Sequence, residues 1–352
     1  MAETVTLQQL LAQHVKEGEL YEHLPNNEVR CFACGHRCLI REGRDGICRV
    51  RFNQGGTLYV PHGYVGALQL DPIEKKPFFH ALPGTDALSF GMLGCDFKCL
   101  YCQNFLTSQV LRDPNIVSPP IPTTIKELVR LAKQNHASTI TSTYNEPLIT
   151  SEWAMEIFRE ARKEGFHCAY VSNGNGTPEV LDYIRPCVDL YKVDLKGFDD
   201  KRYRQTMGGV LQTVLDTIPM LKQKGFWVEI VTLVIPGFND SDEELTSITK
   251  FLASVSCDIP WHVTAFHKDY KMTGPENTTA KTLLRAARIG KEAGLHFVYA
   301  GNLPGQVGNF ENTYCPSCNT LLIERRGYTI LQNALQDGRC PKCRNSLAGI
   351  WQ

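Results

Sequence analysis

The stretch Gly91-Met92-Leu93-Gly94-Cys95-Asp96-Phe97-Lys98-Cys99-Leu100-Tyr101-Cys102-Gln103-Asn104 carries three cysteines at C-x3-C-x2-C spacing. It opens at the end of an apolar run, residues 87–93. That run reads as a strand, which places Cys95, Cys99 and Cys102 on the loop at its C-terminal end. Three thiolates on one short loop can hold three corners of an iron–sulfur cube, which normally takes four cysteines. One iron then stays open for a ligand that is not protein. The plainer alternative is a zinc loop completed by a remote fourth cysteine.

Downstream the pattern turns periodic. Helices over 123–136, 151–165, 177–187, 214–225, 242–255 and 280–294 alternate with strands over 138–143, 167–172, 189–195, 227–235, 261–266 and 295–300. The run at 87–93 is the first strand of this series. Such alternation means βα units around a parallel sheet. The fold class is therefore α/β, a partial or full parallel β/α barrel, with an open doubly wound sheet as the alternative. No G-x-G-x-x-G or Walker loop follows the first strand, which speaks against nucleotide-phosphate folds.

In a barrel of this kind the chemistry gathers at the C-terminal ends of the strands. Thr143-Tyr144-Asn145-Glu146-Pro147 follows the second strand, and its carboxylate can pair with a ligand's ammonium group or simply stand at the rim. Ser172 and Asn173 follow the third, small polar side chains suited to a carboxylate or a ribose. Asp194 and Lys196 follow the fourth, two apart and so on one face. They form a fixed charge pair for a hydroxyl or carboxylate, or a structural salt bridge. His262 and His267, with Tyr270-Lys271 after them, follow the sixth strand as substrate contacts or as satisfied core histidines. Upstream, Asp71-Pro72-Ile73-Glu74-Lys75-Lys76-Pro77 and His80 either face the mouth or form a solvated loop. S-adenosylmethionine (SAM) suits the open iron at the Cys95 loop, because its amino and carboxylate groups can chelate that iron.

Two further cysteine groups flank the barrel. Cys31, Cys34, Cys38 and Cys48 follow C-x2-C-x3-C-x9-C, with Gly35, Gly43 and Gly46 between them. Four thiolates can close a zinc site or hold a cluster; structural zinc is the favoured reading, a second iron–sulfur cluster the alternative, four free thiols the plainest. His36 is a spare ligand or a hydrogen-bonding neighbour. Cys315-Pro316-Ser317-Cys318 and Cys340-Pro341-Lys342-Cys343 are two C-P-x-C knuckles around a hairpin at 320–324 and 328–331. They predict a zinc ribbon whose closed site is structural. Cys168, Cys187 and Cys257 stand alone and read as core thiols. Residues 1–24 read as an amphipathic helix. The division that follows is 1–84 for the helix and four-cysteine region, 85–305 for the barrel and 306–352 for the ribbon.

Of the 352 residues 43% are hydrophobic and 21% charged, a balance suited to a globular chain that buries a large core. Formal net charge is zero, so there is no bulk pull on nucleic acid or anionic membrane. The N-terminus lacks the apolar segment of a signal peptide, and no run of about 20 apolar residues is present. A cytoplasmic protein is expected, in which those of the fourteen cysteines that stand at metal-like spacings are ligands rather than disulfides.

Cys31 to Cys48, Asp71 to Pro77, Cys95 to Asn104, Tyr144 to Pro147 and Lys192 to Gly197 together resemble the radical SAM enzymes of the AmmeMemoRadiSam system, relatives of pyruvate formate-lyase activating enzyme. The resemblance covers residues 25–302; the ribbon is an addition to it. It implies a 4Fe–4S cluster on Cys95, Cys99 and Cys102, with reductive cleavage of SAM to a 5′-deoxyadenosyl radical that takes hydrogen from a substrate. It implies SAM contacts at Glu146, where Tyr144-Asn145-Glu146 replaces the usual glycines, at Tyr101 beside the adenine, and in the turn at Ile235. An electron donor such as flavodoxin or ferredoxin, and Memo-like and AMMECR-like partner proteins, follow from it too. The substrate, protein or metabolite, is not implied. A glycyl-radical activase is a sharper alternative. A nucleic-acid-binding or RNA-modifying protein using Arg325, Arg326, Arg339, Lys342 and Arg344 of the ribbon is another.

Overall fold

A computed structural model describes residues 6–352. Its centre is one eight-stranded sheet built from β1 (Ala67–Pro72), β2 (Asp86–Gly91), β3 (Thr139–Ser142), β4 (His167–Ser172), β5 (Leu190–Asp194), β6 (Trp227–Val234), β7 (Trp261–Ala265) and β8 (Val298–Gly301). The strands lie side by side in chain order, with β1 and β8 at the two edges. β2 to β8 run parallel and β1 pairs antiparallel with β2. The barrel is therefore partial.

Six helices cover the outside: α1 (Ile125–Gln134), α2 (Ser151–Lys163), α3 (Pro178–Ile184), α4 (Leu211–Gln223), α5 (Asp242–Val255) and α6 (Ala280–Glu292). Four of them start on a hydroxyl cap: Thr124, Thr177, Ser241 and Thr279 each accept a backbone N–H three residues on. Each helix lays an apolar stripe on the sheet, as Leu128 and Ala132 do from α1. Strands buried on both faces, such as β3, carry no solvent-facing alternation.

The N-terminal segment departs from expectation. Among the described residues only Leu7–Leu11 is helical; Val15–Glu17 and Tyr21–His23 are strands, and residues 1–5 lie outside the description. Val15–Glu17 pairs with Thr57–Pro61, and Tyr21–His23 with Val29–Cys31. A helix of a turn or two is marginal alone, so these remote ladders decide the backbone. Residues 67–72, upstream of the run at 87–93 that opens the expected series, supply β1. The boundary set at 84/85 thus falls between two hydrogen-bonded strands. The last barrel strand also begins later than the predicted 295, at Val298.

A buried ion pair fastens this N-terminal cap to the barrel. Arg51 reaches both oxygens of Glu152 on α2 at 2.7 Å, and also donates to the Ile149 carbonyl at 3.0 Å.

The C-terminal hairpin, β9 (Leu321–Arg326) and β10 (Thr329–Asn333), packs onto the barrel. Arg325 is buried: it donates to the Phe79 carbonyl and to Thr313, and lies 4.4 Å from the Phe79 ring centroid. Ile350 donates to the His80 carbonyl and forms a parallel bridge with Ala81. No described helix is long and apolar enough to cross a membrane.

Candidate active site

The C-terminal ends of the strands open on a cavity of about 360 Å³, and Cys95, Cys99 and Cys102 all line it. Their loop is held on several sides. Gly94 N–H donates to the Thr107 carbonyl, Lys98 N–H to Met207, and Lys271 N–H to Leu100. Cys102 Sγ lies 3.0 Å from the Ser108 hydroxyl. Burial pushes the Cys99 thiol up to about 12, although Lys196 pulls the other way. Cys95 and Cys102 are also raised, first by burial. Two buried thiols and the partly exposed Cys102, all three resisting ionisation and facing one cavity, are a donor set completed by a metal cation, which would make thiolates of them. The donor set thus fits an iron–sulfur centre with one open position.

Beside the loop stands Glu146. Its carboxylate accepts from the Ser172 hydroxyl (2.7 Å), Asn173 N–H (2.7 Å) and Leu148 N–H (3.2 Å). Burial and the nearby Asp96 carboxylate raise it to about 8 against these donors. Asn145 accepts from Met92 N–H and lines the cavity. Tyr144 takes φ 69°, a left-handed conformation unusual for a tyrosine. The backbone there runs so close to β2 that a side chain on Gly91 would stand 2.3 Å from the Thr143 carbonyl. Asp96 in turn accepts from Asn173 Nδ2 (2.7 Å) and Asn175 Nδ2 (2.8 Å).

The far wall is charged. Asp194 is gripped by Lys192 and Lys196. Burial would raise its carboxyl, but the two ammonium groups hold it well below the usual range. Lys192 follows the same two-residue alternation as Asp194 and Lys196, so the signal that found two of the three could have found it. Asp71 makes 2.7 Å pairs with Lys75 and Lys76, and Lys76 also donates to Tyr144 Oη at 3.0 Å. Lys76 is buried, so this motif is a wall of the cavity rather than a solvated loop. His262 donates to Glu229 at 2.7 Å and lines the cavity. Glu229 also collects the N–H groups of Phe79, His80 and Trp227. Tyr328, in the turn between β9 and β10, lines the mouth and donates to Asn302. Nothing in the sequence tied the ribbon to the mouth.

Seven of the eight expected SAM contacts line this cavity: Tyr101, Asn145, Glu146, Ser172, Asn173, Asp194 and Lys196. Ile235 does not; its N–H is taken by Asn239 Oδ1 at 2.7 Å within its own turn. His80 is buried under the ribbon and bonds Tyr299 and the Ala348 carbonyl. His267 is exposed beside Gln103, and Lys271 pairs with Asp113.

The other cysteines sort by geometry. The ligand atoms of Cys315, Cys318, Cys340 and Cys343 all lie within 4.8 Å of one another, a group able to hold a metal ion. The Thr320 hydroxyl and N–H pull the Cys318 thiol down to about 6. Of the ribbon's five basic positions Arg325 is buried, which removes it from any nucleic-acid face; Arg326, Arg339, Lys342 and Arg344 are not buried. Cys168 and Cys187 are buried thiols, and Cys257 is partly buried.

The profile of a family described as the Radical SAM superfamily matches residues 91–247. An uncharacterized protein of Methanocaldococcus jannaschii is 38% identical over 333 residues, 94% of this chain and 98% of its own length. Pyruvate formate-lyase 1-activating enzyme of Escherichia coli is 26% identical over 227 residues, 60% of this chain and 91% of that enzyme. A crystallised domain of a pyruvate-formate lyase-activating enzyme from Bacteroides vulgatus aligns with 46% of this chain and 98% of its own, at TM-score 0.41 and 20% identity.

Proposed function

Because this chain belongs to the radical SAM superfamily and is a SAM-dependent radical enzyme, we propose that Cys95, Cys99 and Cys102 hold a 4Fe–4S cluster whose open iron takes SAM. One observation carries the reading: three thiols on a single loop open onto a cavity walled by Glu146, Asn173 and Asp194. Bound there, cluster and SAM supply a 5′-deoxyadenosyl radical for hydrogen abstraction, so the protein's own share is binding, orientation and shielding.

In this reading Glu146 and Asn145 receive the amino group of SAM, and Ser172 and Asn173 its carboxylate or ribose. Asp194 offers its carboxylate to the sugar hydroxyls, held in place by Lys192 and Lys196. Tyr101, buried and edge-on to Phe238, packs the adenine. Lys75, Lys76, His262 and Tyr328 lie on the remaining wall, where the substrate enters. Zinc closes the ribbon. The enzyme works in the cytoplasm with a flavodoxin or ferredoxin as electron source, and Memo-like and AMMECR-like proteins are its partners. Activation of a glycyl-radical enzyme is the second reading, favoured by the relatives named for that activity.

Anaerobically reconstituted protein is expected to form 5′-deoxyadenosine from SAM with dithionite, and Cys95→Ala to lose this by at least about 100-fold. Absence of the product from protein with a filled cluster would overturn the reading.

A further inference from the structure

The four thiols of Cys31, Cys34, Cys38 and Cys48 are laid out differently from those of the ribbon. A tetrahedral zinc with Zn–S near 2.3 Å brings its sulfurs to about 3.8 Å from one another. The ribbon shows that spacing already: Cys315 and Cys343 stand 3.5 Å apart, and Cys318 and Cys340 3.6 Å. Among the described residues it is the group whose donor atoms all lie within 4.8 Å. Neither the Cys95 loop nor the N-terminal four is drawn to that spacing. Thiolates on a cube stand farther apart, because each binds a different iron.

The N-terminal four are nonetheless one built site. Cys31 N–H donates to the Cys38 carbonyl at 3.0 Å, and Ile47 N–H donates to Cys38 Sγ at 3.5 Å. Gly46 lies beside that sulfur: a side chain there would meet Cys38 Sγ in ordinary contact at 3.7 Å. Cys31, Cys34 and Cys48 are buried and Cys38 is partly exposed.

This site also abuts the Cys95 loop. A side chain on Gly94 would stand 3.0 Å from the Cys48 carbonyl and 2.8 Å from Val50. Gly35 N–H donates to the Asn175 carbonyl, and Asn175 Nδ2 donates to Asp96, next to Cys95. His36 lies edge-on to Phe97, between Cys95 and Cys99. Arg112 donates to both the Ile47 carbonyl and the Phe97 carbonyl, bridging the two loops. This packing sets the two cysteine sites side by side, as transfer of an electron between them requires.

We propose that Cys31, Cys34, Cys38 and Cys48 hold a second iron–sulfur cluster that passes electrons to the cluster at Cys95. The step moves one electron and no proton. The N-terminal cluster is oxidised as the Cys95 cluster is reduced, and an external low-potential one-electron carrier refills it, entering at the partly exposed Cys38.

Metal analysis tests the site separately from the SAM chemistry. Anaerobically reconstituted protein should hold about eight irons and one zinc. A Cys95→Ala/Cys99→Ala/Cys102→Ala variant should keep about four irons and, once reduced, a paramagnetic signal that SAM leaves unchanged. That result stands whether or not the wild-type protein cleaves SAM. About four irons with two zincs, and a triple variant without iron, would overturn the proposal. The relay has its own readout. Cys34→Ala/Cys48→Ala should keep SAM cleavage with dithionite yet lose it at least about 10-fold with reduced flavodoxin; equal rates with flavodoxin would overturn the relay. If the double variant fails to retain the ribbon zinc, Cys38→Ser serves in its place.

Discussion

Arg51 and Glu152 lie 101 positions apart and almost wholly out of solvent. Glu152 remains ionised: burial alone would raise it, but the guanidinium outweighs burial and holds it below its ordinary range. Its Oε1 also accepts from the N–H groups of Glu19 and Leu20, so one carboxylate fixes two segments of the cap. Removing one partner of such a pair strands a buried charge, at a cost of about 3–5 kcal/mol. Glu152→Gln should therefore lower the melting temperature of the metal-loaded protein by on the order of 10 °C. Arg51→Met/Glu152→Leu together should recover most of that loss, since a packed apolar pair replaces both charges. A double variant no more stable than the single one would show that the pair is not what holds the cap. Neither residue stands out in the sequence, because an arginine and a glutamate this far apart carry no local pattern.

At the scale of the element, β2 and β3 meet where the Cys95 loop leaves one and Glu146 leaves the other. They can approach because position 91 has no side chain. An added methyl 2.3 Å from the Thr143 carbonyl has no flexible neighbour to displace, so the two backbones must part. Gly91→Ala should weaken SAM binding at least about 10-fold by anaerobic calorimetry while iron at Cys95 is retained, since the thiols lie on β2's own loop. Unchanged affinity would separate Glu146 from SAM binding. The strands, helices and their order were legible in the 2 and 3.6 periodicities, within a few residues at most ends. β1 was not, because an edge strand is fixed by its ladder partner and not by its own pattern.

For the whole molecule, the joint between barrel and ribbon is the telling feature. His80 sits inside it. Its Nδ1–H donates to the Ala348 carbonyl and its Nε2 accepts from Tyr299 Oη. Burial lowers it from an ordinary 6.5 to about 4; Glu229 opposes that shift, while Arg325 and His262 add to it. Between those pH values the unfolded chain binds a proton that the folded one refuses. The contribution is thus complete above pH 6.5 and lost as pH falls toward 4. The melting temperature of wild type should fall more steeply than that of His80→Gln across this window. Acid loss of metal is common to both, so the difference isolates the histidine; parallel curves would remove His80 from the joint. The same joint delivers Tyr328 to the cavity mouth.

The sequence by itself determined the α/β alternation, the three-cysteine loop at the end of the first parallel strand and the two C-P-x-C knuckles. Each is written in short-range spacing, which the chain carries into any fold it adopts. Tertiary structure decided what spacing does not encode: that Lys76 lines the cavity, that Arg325 is buried, and that the N–H of Ile235 is taken up within its own turn. It also brought the four ribbon sulfurs within 4.8 Å of one another across 21 intervening residues, a closeness that the spacing within each knuckle does not encode.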